Sequence, residues 1–328
     1  MICDGLQNHF LMKLVLAAFF WSFFLVSCTT ASAELAASTS TVIFPSPVPP
    51  TFTATPTQLI PISTPQVTVT TIPCDPQIED FCITDGHFVF QRPIRPPAND
   101  IVDSSYPYGS TARGTRDPHH GVEFLNKFGT PVYAAGDGVV IFAGTDEETI
   151  YSPWINFYGN LVVIEHGDGL FTLYAHLSKI EVEARENIRA GDKIGEVGQS
   201  GVATGSHLHF EVRKGEVEDY FSTVNPELWL VQTKDEHGAV AISIVDESAE
   251  FRFTEMTVNF YLDRSQLPVK SYYVTTYSRD LSTGEENAAI GDLTPGSYRF
   301  ALTMNGQVYQ RWVEVESGKL TQVVFVVK

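Results

Sequence analysis

The sequence predicts an all-β chain. Short apolar runs broken by Gly and Pro follow one another from Phe88 onward, turn signals recur about every ten residues, and no long amphipathic helical period appears. At 328 residues the chain is long enough for two modest cores plus linkers, and 43% hydrophobic and 12% aromatic residues exclude wholesale disorder. The 39 Asp and Glu against 21 Lys and Arg leave a net charge of -18. A surface of that sign repels phosphate, so nucleic acid and anionic membrane surfaces are excluded as electrostatic partners.

Residues 12–28, MKLVLAAFFWSFFLVSC, pair one Lys with an apolar run of signal-peptide rather than spanning length. Met12 reads as the true start, and residues 1–28 as the leader. The run ends in Leu25-Val26-Ser27-Cys28, which resembles a bacterial lipobox, in which the cysteine is lipidated and becomes the mature N-terminus. An ordinary cleavable signal and a lone transmembrane anchor remain the alternatives. Residues 29–73 are Thr, Ser, Pro and Ala with a single charge, Glu34. That composition buries no core and favours extended backbone, so it predicts a disordered, semi-rigid spacer rising at most about 3.1 Å per residue. Together the two segments predict an extracytoplasmic protein held at a membrane by an N-terminal lipid. The leading segment 74–104 opens with Cys74 and Cys82, eight positions apart, which in an exported chain are expected to form a local disulfide. With no CxxC pattern, a metal is not expected on thiolates.

A central domain is expected over 105–232. Pro131–Ala135, Val139–Ala143, Leu161–Glu165, Leu170–Ala175, Lys193–Val197 and Leu208–Arg213 read as strands, and His166-Gly167-Asp168-Gly169 as a hairpin turn, since Asp-Gly supplies positive φ. Strand alternation puts His207, His209 and Glu211 on one face and Leu208, Phe210 and Val212 on the other. His119 and Glu123 lie an even number of residues apart, so an extended backbone points both the same way, with Gly121 permitting close approach. Two imidazoles and one carboxylate with an open fourth position form the ligand set of a catalytic zinc, and unligated histidines nearby supply proton chemistry. Solvated or core-satisfied histidines are the bland alternative, and the clustering argues against it.

His119-His120-Gly121-Val122-Glu123-Phe124, Gly129-Thr130-Pro131-Val132-Tyr133-Ala134-Ala135 with Asp137-Gly138, Tyr174-Ala175-His176-Leu177 and Gly205-Ser206-His207-Leu208-His209-Phe210-Glu211 resemble, in order and spacing, the lysostaphin-type (LytM-like) zinc metallopeptidases. The resemblance covers about 105–230. It implies an antiparallel β domain of the duplicated hybrid motif, a narrow groove over Zn²⁺ and endopeptidase action on peptidoglycan peptides. Position by position it makes His119, Glu123 and His209 the zinc ligands, and His176 and His207 the unligated pair that activates water and stabilises the oxyanion. Asn160 and Tyr108-Gly109 match further family positions, while His120 and His166 are left as exposed non-ligands. The family's usual Asp is Glu123 here, one methylene longer.

The connection 145–158, carrying Asp146, Glu147, Glu148, Tyr151, Trp154 and Tyr158, reads either as a groove wall that chooses the substrate or as a solvated insertion. From 239 to 328, six alternating runs predict a β-sandwich, and Pro295-Gly296-Ser297-Tyr298 loosely resembles an immunoglobulin-like module. It holds no plausible catalytic set and reads as a structural or wall-binding accessory. Two functions are carried forward: a membrane-anchored zinc endopeptidase of the cell wall, and a catalytically silent envelope scaffold that binds wall peptides or activates another hydrolase.

Overall fold

The chain builds strands in the order its alternating runs dictate. A computed structural model describes residues 74–233, 236–282 and 284–328; the lipobox with Cys28 and the spacer 29–73 lie outside the described residues. The strands are β1 (Cys82–Thr84), β2 (Val122–Leu125), β3 (Pro131–Tyr133), β4 (Gly138–Thr145), β5 (Asn160–Glu165), β6 (Leu170–Ala175), β7 (Leu177–Ile180), β8 (Asn187–Ile188), β9 (Lys193–Val197), β10 (His207–Lys214) and β11 (Thr223–Val224). After a 3-10 turn at Pro226–Leu228 come β12 (Gly238–Asp246), β13 (Glu255–Tyr261), β14 (Lys270–Thr275), β15 (Ala288–Leu293), β16 (Gly296–Met304), β17 (Gln307–Val315) and β18 (Leu320–Val327). No helix of the described residues is long and apolar enough to cross a membrane.

In the first half, a seven-stranded sheet runs β11-β10-β6-β5-β4-β8, with β2 pairing β10, and a three-stranded sheet runs β3-β9-β7. Val122, Phe124, Val132, Ile164, Tyr174, Ile194, Leu208, Phe210 and Val212 share one core. The other face of the large sheet is covered as well: Leu161, Val163, Leu173 and Ala175 pack with Tyr151, Tyr158 and Tyr220. The expected tight turn joins β5 to β6, with positive φ at Gly167, Asp168 and Gly169.

In the second half, the sheets β1-β18-β12-β15 and β14-β13-β16-β17 enclose a common core that includes Val240, Ile242, Val258, Phe300, Val313 and Phe325. β12 and β18 run parallel. Cys74 and Cys82 are disulfide-bonded with Cα atoms 5.7 Å apart, and the bridge leads directly into β1. β1 then pairs with β18, the last strand of the chain. A three-residue run carries too little alternation to be recognised as a strand, so only the fold reveals that the leading segment adds an edge to the C-terminal sheet.

All described residues fall in one compact unit, and the halves meet through an apolar cluster of Leu228, Ala239, Ala241 and Leu320 beside a polar contact. Arg92 forms a two-pronged pair with Asp292, both bonds 2.8 Å, and Glu227 accepts the Gly291 amide at 2.9 Å. Burial raises the Glu227 pKa from 4.5 to about 7, against the Gly291 hydrogen bond and with help from the Asp292 charge. An acid whose folded pKa exceeds its unfolded value costs stability as pH rises between the two, here from about 4.5 to about 7. Glu227→Gln, which resembles the protonated acid, is therefore expected to raise the thermal midpoint at pH ~8 and to leave it near wild type at pH ~5. A midpoint difference independent of pH refutes this.

Candidate metal centre

Register brings the first two donors together. In the antiparallel pair of β2 and β10, His209 lies directly opposite Glu123 and His207 opposite Leu125. Facing residues in such a pair have Cβ atoms about 4.5–5.5 Å apart. Gly121 makes room for this: a Cβ there would collide with the Phe210 carbonyl oxygen and lie 2.9 Å from the His209 ring.

His119 precedes β2 and folds back onto the same face. Its Nε2 lies 3.0 Å from Glu123 Oε1 and 3.3 Å from His209 Nδ1, and His209 Nδ1 lies 3.1 Å from that same oxygen. All three side chains are buried. Among the described residues they are the group whose ligand atoms converge closely enough to hold a metal ion. Tetrahedral zinc with bonds of about 2.0–2.1 Å separates its ligand atoms by roughly 3.3 Å, so the observed spacing and the donor types fit that ion.

The outer nitrogens fix the tautomers. Only acceptors face them: Pro107 O at 3.3 Å for His119 Nδ1, Glu211 Oε1 at 3.0 Å for His209 Nε2, Ser200 O at 2.9 Å for His176 Nδ1 and Gly205 O at 2.9 Å for His207 Nδ1. Each outer nitrogen therefore donates, leaving His119 Nε2 and His209 Nδ1 as the inward-facing atoms. His176 sits 4.9 Å from His207 and 5.7 Å from His209, ring centre to ring centre. His207 Nε2 is 2.9 Å from Glu123 Oε2. His176 has a φ of +60°, in the left-handed region that non-glycine residues seldom adopt. Its amide donates to Tyr158 O at 2.9 Å, which helps hold that geometry.

Charge is concentrated here. Burial pushes the Glu123 carboxyl up, but the neighbouring His209 charge and bonds from three histidines hold it well below the carboxylate range. Burial opposes a charge on His209, yet Glu123 and Glu211 raise its pKa to about 10. Burial, followed by the positive fields of His209 and His207, lowers His176 to about 3. A centre that stabilises a proton between one carboxylate and two imidazoles also accommodates a cation in its place.

Behind His209 stands a polar network that the motifs did not reveal in full. Glu211 Oε1 accepts from His209 Nε2 and, at 2.6 Å, from the Tyr158 hydroxyl; Arg213 Nε donates to Glu211 Oε2 at 2.8 Å. Arg213 also donates to Tyr151 O at 2.9 Å and to Val217 O at 2.7 Å. Glu211 and Arg213 are both 0% exposed. The period-two alternation from His207 carries on through Arg213, so the pattern held the signal for it. Tyr158 had no such signal.

Two expectations need correction. His120 is not exposed: it is 2% exposed, because Tyr220 stacks on it with ring centres 3.7 Å apart. His166 is half-buried, its Nδ1 2.8 Å from Asp137 O and its ring against Phe90. The connection 145–158 is part exposed and part buried, and it touches the cleft through an aromatic side chain rather than through its acids. Tyr151 and Tyr158 are buried, Asp146 accepts the Tyr158 amide at 3.1 Å, Glu147 and Glu148 stay exposed, and Phe157 is what reaches the cleft. Asn160 donates to Leu177 O at 2.9 Å, joining β5 to the residue after His176. Above the centre a cleft of about 550 Å³ is lined by His119, Glu123, His176, His207 and His209 together with Tyr106 and Phe157.

Fold and site together define an all-β domain with a metal-competent His/Glu/His centre. Residues 117–223 match the model of peptidase family M23. The chain is 35% identical over 149 residues, 45% of its length, to the cell division protein DipM of Caulobacter vibrioides, of which this covers 22%. It is 44% identical over 95 residues, 29% of its length, to the peptidoglycan DD-endopeptidase ShyA of Vibrio cholerae and to the DD-carboxypeptidase/endopeptidase Mpg of Neisseria meningitidis, covering 20% of each. The chain thus spans about a fifth of the length of the curated relatives it matches. A crystal structure of a zinc-containing peptidase from Vibrio cholerae aligns with 32% identity and a TM-score of 0.34, over 42% of this chain and 39% of that one.

Proposed function

We propose that this protein is a zinc-dependent endopeptidase that hydrolyses peptide bonds of peptidoglycan in the bacterial cell envelope. The observation that carries the reading is the convergence of His119 Nε2, Glu123 Oε1 and His209 Nδ1 within 3.3 Å of one another beneath an open cleft, beside two further histidines. A zinc ion held there supplies Lewis acidity toward a scissile carbonyl and an attacking water. His176 and His207 keep their Nδ1 protons on backbone carbonyls, so Nε2 of His176 is left to exchange a proton or hydrogen bond with the reacting groups, while Nε2 of His207 lies 2.9 Å from Glu123 Oε2. The substrate class rests on the family and on relatives named as peptidoglycan DD-endopeptidases. Lipidation at Cys28 and reach through residues 29–73 would hold the enzyme on the outer side of the cytoplasmic membrane.

Muropeptide mass spectrometry after digestion of purified sacculi tests the reading. Cleaved cross-links are expected, lost in chelator and restored by Zn²⁺. His176→Ala is expected to keep zinc while losing about 10²–10⁴-fold in rate, the usual worth of a proton-transferring side chain. A wild-type protein free of zinc and without lysis would leave the scaffold reading in its place.

A further inference from the structure

We propose that Tyr277, in the connection after β14 of the C-terminal sandwich, is a positioning residue for the metal centre. It braces the turn that presents His119, making the sandwich part of the peptidase framework. The inference rests on the reading of His119 as a metal ligand.

His119 is held by a turn rather than by a strand. The Gly109 amide donates to His119 O at 2.7 Å, the His119 amide donates to Ser110 O at 2.9 Å, and His119 Nδ1 faces Pro107 O. Tyr106 stacks on the His119 ring with centres 4.1 Å apart. Residues 106–110 thus set both the backbone and the ring of this one ligand, whereas Glu123 and His209 are set by strand register.

The far side of the turn rests on Tyr277. The Tyr277 ring packs edge-on to Tyr108 at 4.9 Å, and the Ser278 amide donates to Gly109 O at 3.2 Å. Gly109 has a φ of +74°, and a Cβ there would lie 2.8 Å from both Cα and Cβ of Tyr277, so the two backbones touch with no room between them. Tyr277 and Leu281 belong to the core of the first half of the molecule, not to that of the sandwich. The backbone of Tyr277 is nevertheless fixed by the sandwich: its amide donates to Asn287 O at 2.7 Å, and the wholly buried Asn287 accepts the Ile244 amide of β12 at 2.9 Å. The Tyr277 hydroxyl accepts from Asn225 at 2.9 Å. A continuous chain of packed and bonded groups runs from β12 to His119, and removal of a ring from its middle frees the turn without touching a ligand.

The test uses the full chain, with Zn²⁺ affinity read by chelator competition and the ligand field read from the visible spectrum of the Co²⁺-substituted protein. Tyr277→Ala is expected to weaken Zn²⁺ by about 10–100-fold, the range for groups that orient a ligand, and to change the cobalt bands. Tyr277→Phe, which keeps the ring, is expected to stay near wild type. Tyr277→Leu serves in the same way should the alanine variant prove insoluble. Val258→Ala, in the sandwich core, is the control: it lowers the thermal midpoint and leaves affinity and spectrum unchanged. Tyr277→Ala or Tyr277→Leu that loses thermal stability but keeps wild-type affinity and cobalt spectrum overturns the inference. Wild-type protein that takes up no Zn²⁺ overturns instead the metal reading on which it rests.

Discussion

Glu123→Ala is expected to remove the metal and the lytic activity together. Glu123 Oε1 lies within 3.1 Å of both His119 Nε2 and His209 Nδ1, and its charge is what offsets a buried cation. Zinc affinity should fall by more than the 10–100-fold typical of losing an outer-shell partner, and cleavage should drop to the level of a blank. Glu123→Gln keeps the shape but not the charge and should weaken zinc nearly as far. Glu123→Asp draws the carboxylate back by about one carbon–carbon bond, roughly 1.5 Å, from a position that β2–β10 pairing fixes opposite His209. It is expected to retain more affinity than the glutamine variant, because a small backbone shift restores a charged oxygen. Zinc per chain by atomic spectroscopy and muropeptide release decide the matter; full zinc and unchanged lysis in Glu123→Ala would refute the assignment.

The second large effect is expected at the buried pair behind the centre. Glu211 and Arg213 are wholly enclosed and bonded to each other at 2.8 Å, with Tyr158 and His209 completing the network. Glu211→Ala leaves the Arg213 guanidinium buried without its counter-charge, an error worth about 3–5 kcal/mol when one member of such a pair is removed. It also strips His209 Nε2 of the acceptor that keeps Nδ1 facing the site, so metal affinity falls together with stability. Replacing both residues by apolar ones of similar volume should recover much of the stability, since a buried ion pair is close to neutral against a packed apolar pair. It should not recover the metal, because the tautomer of His209 is still unset. Calorimetric midpoints and zinc titration of the single and double variants separate the two. A double variant with both properties restored would show that Glu211 has no part in holding His209.

These residues also mark the limit of what the sequence discloses. Where a strand alternates, as along β10, its span and its two faces were legible, because a period of two is a direct consequence of strand geometry. β2 and β15 were missed because Val122–Leu125 is only four residues long and Ala288–Leu293 is small and Gly-interrupted. β7 directly follows β6 after His176, so its alternation merged with the preceding run. The histidines and Glu123 could be picked out as a group from residue type and even spacing, and Glu211 shared their face.

By itself, then, the sequence determined an all-β chain, the strands that carry the core, and the donor types gathered in two short stretches around His119 and His209. Those properties are local and follow from periodicity and side-chain chemistry. Tertiary structure alone decided that Glu123 lies opposite His209, that Tyr158 closes on Glu211 from 53 positions away, and that Tyr277 of the second half meets Gly109. Contacts between distant segments are set by strand pairing and by how two cores pack, and neither leaves a mark in the spacing of any one segment.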